Sequence, residues 1–596
     1  MGETLPEVIT TLGGQIDALA CQQITDPGHP QTGAIVGTIT PLTGAGLPSA
    51  GATSDFVAAC AWHYIASRRT GTPETHTEIL PRAIAGMDFL IRSQRPGGLI
   101  DLQGANYDSA PDTAFVVQML VPVLASGSKW RNIDPAWNTL SDRIETFVRR
   151  TIPGLISGGF HTPNHRWVIA SALALAARFV SGVSDKSVAD TVNSLLAEGI
   201  DIDSEGTFIE RSVGVYDAVC DRSLLFLEAF WPTANAAGAG KAAVANLNFD
   251  LYLLNNDGTA ETGLSRRQDY GTRSVPLGLA SCYLLAGRTK AGAANRATFE
   301  ETARFLWIRA AANGQTPGVP TLNWLAHALL GTENDDALIP SAPPPPPPSR
   351  PAPVTIPAKP LPDFARHFPV NGFWRARRGE FTATIFTDTT RLLHLAFGTA
   401  ELAGLKISQS YFGVGLFVGD RLDAGTTGGV LRSEGRRNPR RPGYELPLGL
   451  PVPKEDWEKL RHTRPLRPIP PPASELEVIL LSNTETDGEV LEFVYRTTDG
   501  LDNVATQIAL DFVPGGVWET ADTITRPAAG QVLFLKNGSG RMRYGLDVIE
   551  IEGGAHAHTM WAMRDSETAP AHVRVLLTFL TPVEHRFRIK TWHGIP

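Results

Sequence analysis

The sequence predicts a multidomain chain, α then β, in which an N-terminal α/α toroid of helical hairpins is followed by an antiparallel β-sandwich. Three observations predict it. Over residues 1–335 apolar residues recur at helical spacing in segment after segment, with Gly, Pro and Asp between the segments. Over 336–362 the composition turns to proline, with Pro343 to Pro348 consecutive. Over 363–596 the apolar period changes to two. At 596 residues the chain is also too long for one ordinary core.

The helical segments are expected at 5–22, 52–68, 74–94, 110–126, 135–150, 164–181, 185–198, 216–231, 237–254, 272–286, 292–311 and 319–330, with no strand among them. Amphipathic segments such as 74–94 and 135–150 alternate with nearly all-apolar ones such as 110–126 and 164–181. An outer and an inner ring of helices require that alternation, because a helix apolar all round must be buried on all sides. An open helical solenoid would show a similar pattern. The proline run cannot form helix or sheet and reads as a semi-rigid polyproline spacer. Beyond it, GEFTATIFTD, RLLHLAFG, LEVILLS, GEVLEFVYRT, VATQIALDFV and HVRVLLTFLT are strand-length runs rich in Val, Ile, Phe and Thr.

Net charge is −8 and the pI is near 6.0, so nothing overall argues for nucleic acid, and an acidic partner must be met by local basic groups. Arg432, Arg436, Arg437, Arg440 and Arg441 form one such group in a loop of the β region, either solvated or at a substrate rim. Cys21, Cys60, Cys220 and Cys282 are widely spaced in apolar contexts and are expected as buried thiols. They show no metal-type spacing. His556 and His558 share a strand face and make at most half a metal site, so no metal and no organic cofactor is expected. No run of about 18 apolar residues is present, so no membrane insertion is expected. The first residues lack a basic region followed by an apolar one, which reads as cytoplasmic, or as periplasmic or secreted where a leader has been trimmed. Oligomeric state is not readable.

Four polar clusters precede helices that are otherwise apolar. The first is Asn164, His165 and Arg166 with His161 just upstream, where free backbone N–H groups and the positive end of a helix dipole favour a carboxylate. The others are Asn106, Tyr107 and Asp108; Glu210, Arg211 and Tyr216; and Arg266, Arg267, Asp269 and Tyr270. If the helices alternate up and down, these clusters face one mouth of the toroid. The set lacks a nucleophilic serine elbow, a metal-binding His pair at helical spacing and a phosphate loop. It fits proton abstraction beside a carboxylate, which needs a neutraliser for the acid group, a base for the carbon acid and an acid for the leaving oxygen. In a uronic acid the C5 proton leaves only when the C6 carboxylate is held by hydrogen-bond donors. Asp108, Asp112, Glu210 and Asp217 offer paired carboxylates for glycoside hydrolysis instead. In a third reading, Trp167, Tyr107 and Trp374 only stack on sugars in a non-catalytic binding protein.

The NHRW helix start, the tyrosine about fifty residues on, and the β-region segments FWRARRGEFTATIF and SQSYFGVGLFVGD resemble polysaccharide lyases with an α/α toroid and an antiparallel β domain. That group includes heparinase II/III-like, alginate and rhamnose-glucuronate lyases. The resemblance spans nearly the whole chain through short motifs. It implies β-elimination on an acidic polysaccharide or oligosaccharide. Asn164 would neutralise the carboxylate, His165 would be base or neutraliser, and Tyr216 would donate to the glycosidic oxygen and take the C5 proton. Arg166, His161, Asn106, Tyr107, Asp108, Arg211, Arg266, Arg267 and Tyr270 would contact substrate.

Overall fold

The computed structural model describes residues 4–37, 46–70, 79–183, 185–331, 361–411, 413–435, 470–482, 488–557 and 566–594, with 445–446, 467–468 and 563. Most of the proline-rich linker expected at 336–362 lies outside them, as do Arg436, Arg437, Arg440, Arg441 and His558. The chain divides into two compact units, one of Met1–Leu254 and Gly258–Pro360, the other of Asn255–Asp257 and Leu361–Pro596.

The first unit contains α1 (Thr4–Ala20), α2 (Ala50–Thr70), α3 (Ile79–Ser93), α4 (Ala110–Ser126), α5 (Pro135–Ser157), α6 (Pro163–Phe179) and α7 (Lys186–Ala197). It continues with α8 (Tyr216–Phe230), α9 (Pro232–Ala236), α10 (Ala239–Leu253), α11 (Gly278–Ala286), α12 (Arg296–Ala312) and α13 (Val319–Leu330). Packing closes a ring: α2 lies against α4, α4 against α6, α6 against α8, α8 against α11, α11 against α13, and α13 returns to α2. The toroid is therefore closed, and the open solenoid is set aside. Outside it, α1 covers α13 and α2, α3 lies against α2 and α5, α7 covers α6, and α10 and α12 cover α11.

Composition explains which helix goes where. In α6 every residue from Arg166 to Ala176 is buried, and in α4 all but Asp112 and Phe115. By contrast α5 buries one stripe, Trp137, Leu140, Ile144, Phe147, Val148 and Leu155 among it. Each large apolar side chain so buried contributes roughly 1.5–3 kcal/mol against chain entropy. Some of the polar groups inside the ring are bonded to one another. Gln118 of α4 donates to Ser171 of α6 and to Ser223 of α8, the latter at 2.9 Å, and all three are buried. The middle of the ring is filled: Phe226 of α8 meets Trp324 and His327 of α13, and His327 also meets Trp62 of α2, with ring centroids 5.6–6.1 Å apart. Burial pushes the His327 imidazole down to about 3, so it is neutral there.

The expectation of no strand among the helices is corrected. Two short hairpins occur, Ile35–Val36 with Pro48–Ser49 and Ile100–Leu102 with Asn106–Ser109. They are too short to show a period. The second delivers the chain into the start of α4.

The second unit is a sandwich. One sheet runs in the order Val532–Phe534, Val573–Leu580, Ala505–Phe512, Ala400–Gln409, Leu393–Phe397, Phe381–Phe386, Phe373–Arg378, Phe364–Phe368. The other runs Arg421–Gly425, Gly428–Ser433, Ala473–Ser482, Glu489–Asp499, Glu584–His593, Asp547–Glu552, Ser539–Tyr544, Val517–Glu519, Ile524–Thr525. Pairing is antiparallel throughout these sheets except between Val532–Phe534 and Val573–Leu580. Both sheets feed one core, with Trp374, Leu395, Leu405, Ile508 and Leu577 from the first and Leu431, Leu476, Phe493, Ile549 and Phe587 from the second.

Candidate active site at one mouth of the helical ring

The first turns of α4, α6 and α8 and the loop entering α11 converge, which brings part of each of the four polar clusters to one place. In α6 the chain enters through extended Thr162, and Pro163 is pre-set for the first turn. Asn164 and His165 therefore project from the first turn, where the His165 backbone N–H donates to the Thr162 carbonyl at 3.1 Å. Tyr216 opens α8, its backbone N–H donating to Ser212 Oγ at 3.1 Å.

The centre of the cluster is a carboxylate. Asn164 Nδ2 donates to both oxygens of Glu210, at 2.9 and 2.8 Å, and to Thr162 Oγ1 at 3.3 Å. Arg267 Nη1 lies 3.1 Å from Glu210 Oε1, and the same guanidinium lies over the Tyr216 ring, 4.2 Å from its centroid. Asn164 and Glu210 are buried. Burial raises the Glu210 carboxyl above its ordinary range, against the opposing pull of Asn164 and Arg267. The Asn164 Oδ1 atom is buried without a partner among the described residues.

Asp269 fixes the loops that carry Glu210 and Arg267. It accepts from Ser212 Oγ at 2.8 Å, from Ser265 Oγ and from the Gly214 backbone N–H at 3.0 Å. A Cβ on Gly214 would fall 2.7 Å from the Asp269 carboxylate, so this close approach needs glycine. The Arg266 backbone N–H donates to the Glu210 carbonyl at 3.0 Å, joining the two loops directly.

His165 occupies the other side. Its ring meets His161 edge-on at 5.0 Å and Phe115 of α4 at 6.2 Å. Burial, then the His161 ring, lower its pKa to about 4; the Asp112 carboxylate pulls it up and Arg267 pulls it down. The imidazole is thus neutral at pH 7, and its Nδ1 is buried without a partner among the described residues. Asp112 accepts from Ser109 Oγ at 2.5 Å and from Asn106 Nδ2 at 3.4 Å.

Of the residues singled out in the sequence, the structure brings together Asn164, His165, His161, Tyr216 and Arg267, with Asn106 joined through Asp112. Tyr107 and Tyr270 are exposed, Tyr107 beneath Arg95 at 5.9 Å. Asp108 is exposed with φ +51° and donates its backbone N–H to Asp101 at 2.8 Å. Arg211 also has positive φ, and Arg266 donates to the Ile209 carbonyl at 3.3 Å.

Arg166 is a correction. Its guanidinium is committed to Glu198 at 2.8 Å, the Gly199 carbonyl at 3.0 Å and Asp201 at 3.1 Å, and lies over Trp167 at 4.1 Å. It braces the loop after α7 and offers nothing to a bound molecule. Asp217 as a member of a carboxylate pair is likewise set aside, because it is 1% exposed. Trp167 and Trp374 are buried too and cannot stack on a sugar. The residue that reading by sequence undervalued is Glu210. Its partners are 46 and 57 positions away, and only the i-to-N-terminus clustering of polar groups hinted at them.

No protein-family profile matches the sequence, and no curated protein matches it either. Solved structures with a related fold include a heparan sulfate lyase from Pedobacter heparinus, 11% identical, covering 91% of this chain and 76% of that one at a TM-score of 0.42. A heparinase III is 9% identical, covering 95% and 81% at 0.46. A chondroitin AC lyase of Streptomyces coelicolor A3, solved in complex with chondroitin sulphate, is 14% identical, covering 99% and 79% at 0.41.

Proposed function

We propose that the chain is a polysaccharide lyase that cleaves a uronate-containing glycan by β-elimination, without an organic cofactor. The observation that carries this reading is the convergence of an amide, a neutral imidazole and a phenol with one buried Arg–carboxylate pair at a single mouth of the ring. Elimination needs those functions and no others. Asn164 Nδ2 and Arg267 already meet on one carboxylate, Glu210. Arg267, one-fifth exposed, is the donor that a uronate carboxylate meets first, and Asn164 Nδ2 becomes a second once Glu210 takes a proton and gives way, a change that burial already favours. Donors so placed stabilise the enolate that forms when the C5 proton leaves.

The neutral imidazole of His165 is the base or a second neutraliser. With His165 as base, the imidazole takes the C5 proton to give the enolate, the Tyr216 phenol then delivers its proton as the glycosidic C–O bond breaks, and the His165 proton passes to the Tyr216 phenolate after product leaves. Arg267 over the ring face holds the Tyr216 ring at the mouth. The rings of Tyr107 and Tyr270 are exposed and suit the faces of sugar rings.

Digestion of a panel of uronate glycans, followed by absorbance and mass spectrometry, tests the reading. The expected product carries a C4–C5 double bond, and Tyr216→Phe and His165→Ala each lower kcat by roughly 10²–10⁴ with unchanged melting temperature. Saturated products with new reducing ends would show hydrolysis instead and sink the proposal.

A further inference from the structure

The second unit carries a cluster that the chemistry above does not use. Glu380 sits in the turn between strands Phe373–Arg378 and Phe381–Phe386, Asp547 opens strand Asp547–Glu552, and His593 closes strand Glu584–His593. Asp547 and His593 are direct cross-strand partners. One ligand atom from each of Glu380, Asp547 and His593 lies within 4.8 Å of the others.

The imidazole is held from several directions. Asp547 Oδ2 accepts from the backbone N–H and the hydroxyl of Thr399, each at 2.6 Å, and Asp547 Oδ1 faces His593 Nδ1 at 3.0 Å. Gly398, at φ +56°, leaves the room for that carboxylate, since a Cβ there would lie 2.4 Å from Asp547 Oδ2. The Phe397 ring lies against the imidazole, centroids 4.7 Å apart. On its other side, His593 Nε2 faces Glu380 Oε2, 3.7 Å away. A ring nitrogen and a carboxylate oxygen facing each other at this distance leave room for a cation that takes both as ligands. The separation is beyond ordinary hydrogen-bond length. It is close to the roughly 3.4 Å expected between two ligands, each about 2.0–2.1 Å from one tetrahedral ion.

We infer that His593 Nε2 and Glu380 bind a Zn²⁺ ion, with Asp547 orienting the imidazole and water completing the coordination. A carboxylate behind a ligating histidine is the usual way such a ring is fixed and made more basic. The mixed nitrogen and oxygen donors suit zinc better than calcium or magnesium, which take oxygen alone. The ion would tie a turn of one sheet to the last strand of the other.

The test uses the whole chain, freed of any affinity tag and stripped with a chelator, titrated with ZnCl₂ by calorimetry and assayed for metal after dialysis. One equivalent is expected, with a rise in melting temperature. His593→Gln and Glu380→Gln should each abolish that equivalent, and Asp547→Asn should weaken it 10–100-fold. Circular dichroism of the metal-free variants separates loss of binding from loss of fold, and Glu380, being an exposed turn residue, keeps the test meaningful if His593→Gln unfolds. The inference falls if the parent takes up no Zn²⁺ or if Glu380→Gln binds it as tightly as the parent.

Discussion

Glu210 and His165 are both under-solvated, and each titrates away from its ordinary range for that reason. For His165 the consequence is measurable. A buried imidazole with a pKa of about 4 stays an unprotonated base through neutral pH and is lost as one only when pH falls through about 4. The acid limb of kcat/KM is therefore expected near pH 4; a limb centred near 6.5 would mean that the ring is solvated in the working enzyme. The sequence showed that Asn164, His165 and Tyr216 begin apolar helices, and that much was enough to place them together. It could not show that Glu210 is the shared partner, because a salt bridge across 57 residues leaves no periodic trace. Nor could it show that Arg166, one residue along from His165, is turned into the α7 loop by Glu198 and Asp201.

At the scale of the element, that turn predicts a separation of stability from activity. Arg166→Ala removes bonds to Asp201 and the Gly199 carbonyl and the contact with Trp167, while Glu198, half exposed, contributes little. A loss of about 1–3 kcal/mol in unfolding free energy is expected by denaturant titration, with KM within about twofold of the parent. A large rise in KM with unchanged stability would put Arg166 back at the substrate. The helices were legible because an inner helix has no polar stripe and an outer one has, so 110–126 and 319–330 fall where the spacing placed them. The β unit was half legible. Its apolar strands, such as Ala505–Phe512 and Val573–Leu580, read plainly. Strands such as Ser539–Tyr544 and Glu584–His593 carry arginines and lysines on alternate positions and were passed over. Those charges are paired across strands, Arg541 and Arg543 with Glu519, Arg588 with Glu492 and Lys590 with Glu552, so a charged face is compatible with a sheet once its partners are in register.

At the scale of the whole molecule, the helical unit carries an acidic seam. Asp217 and Asp221 lie one turn apart on α8, Asn246 and Asp250 one turn apart on α10, and all four are buried. Burial raises the Asp217 carboxyl to about 8, and Asp221 and Asp250 stand well above the carboxylate range for the same reason. The folded state thus keeps protons that the unfolded state has lost above about pH 4. The stabilisation is fully present below that value and is lost as pH rises through about 8. Urea unfolding is expected to show stability falling between pH 5 and 8, and Asp250→Asn should flatten that slope. A slope of the opposite sign would mean that these acids are ionised and paired.

The packed centre of the ring, with Phe226, Trp324, His327 and Trp62 in contact, has a consequence for traffic. A doughnut with a plugged hole cannot be threaded. On the proposed function, a polymer brought to Tyr216 lies across the opening or dips one end into it, and both fragments back out by the door through which the chain arrived.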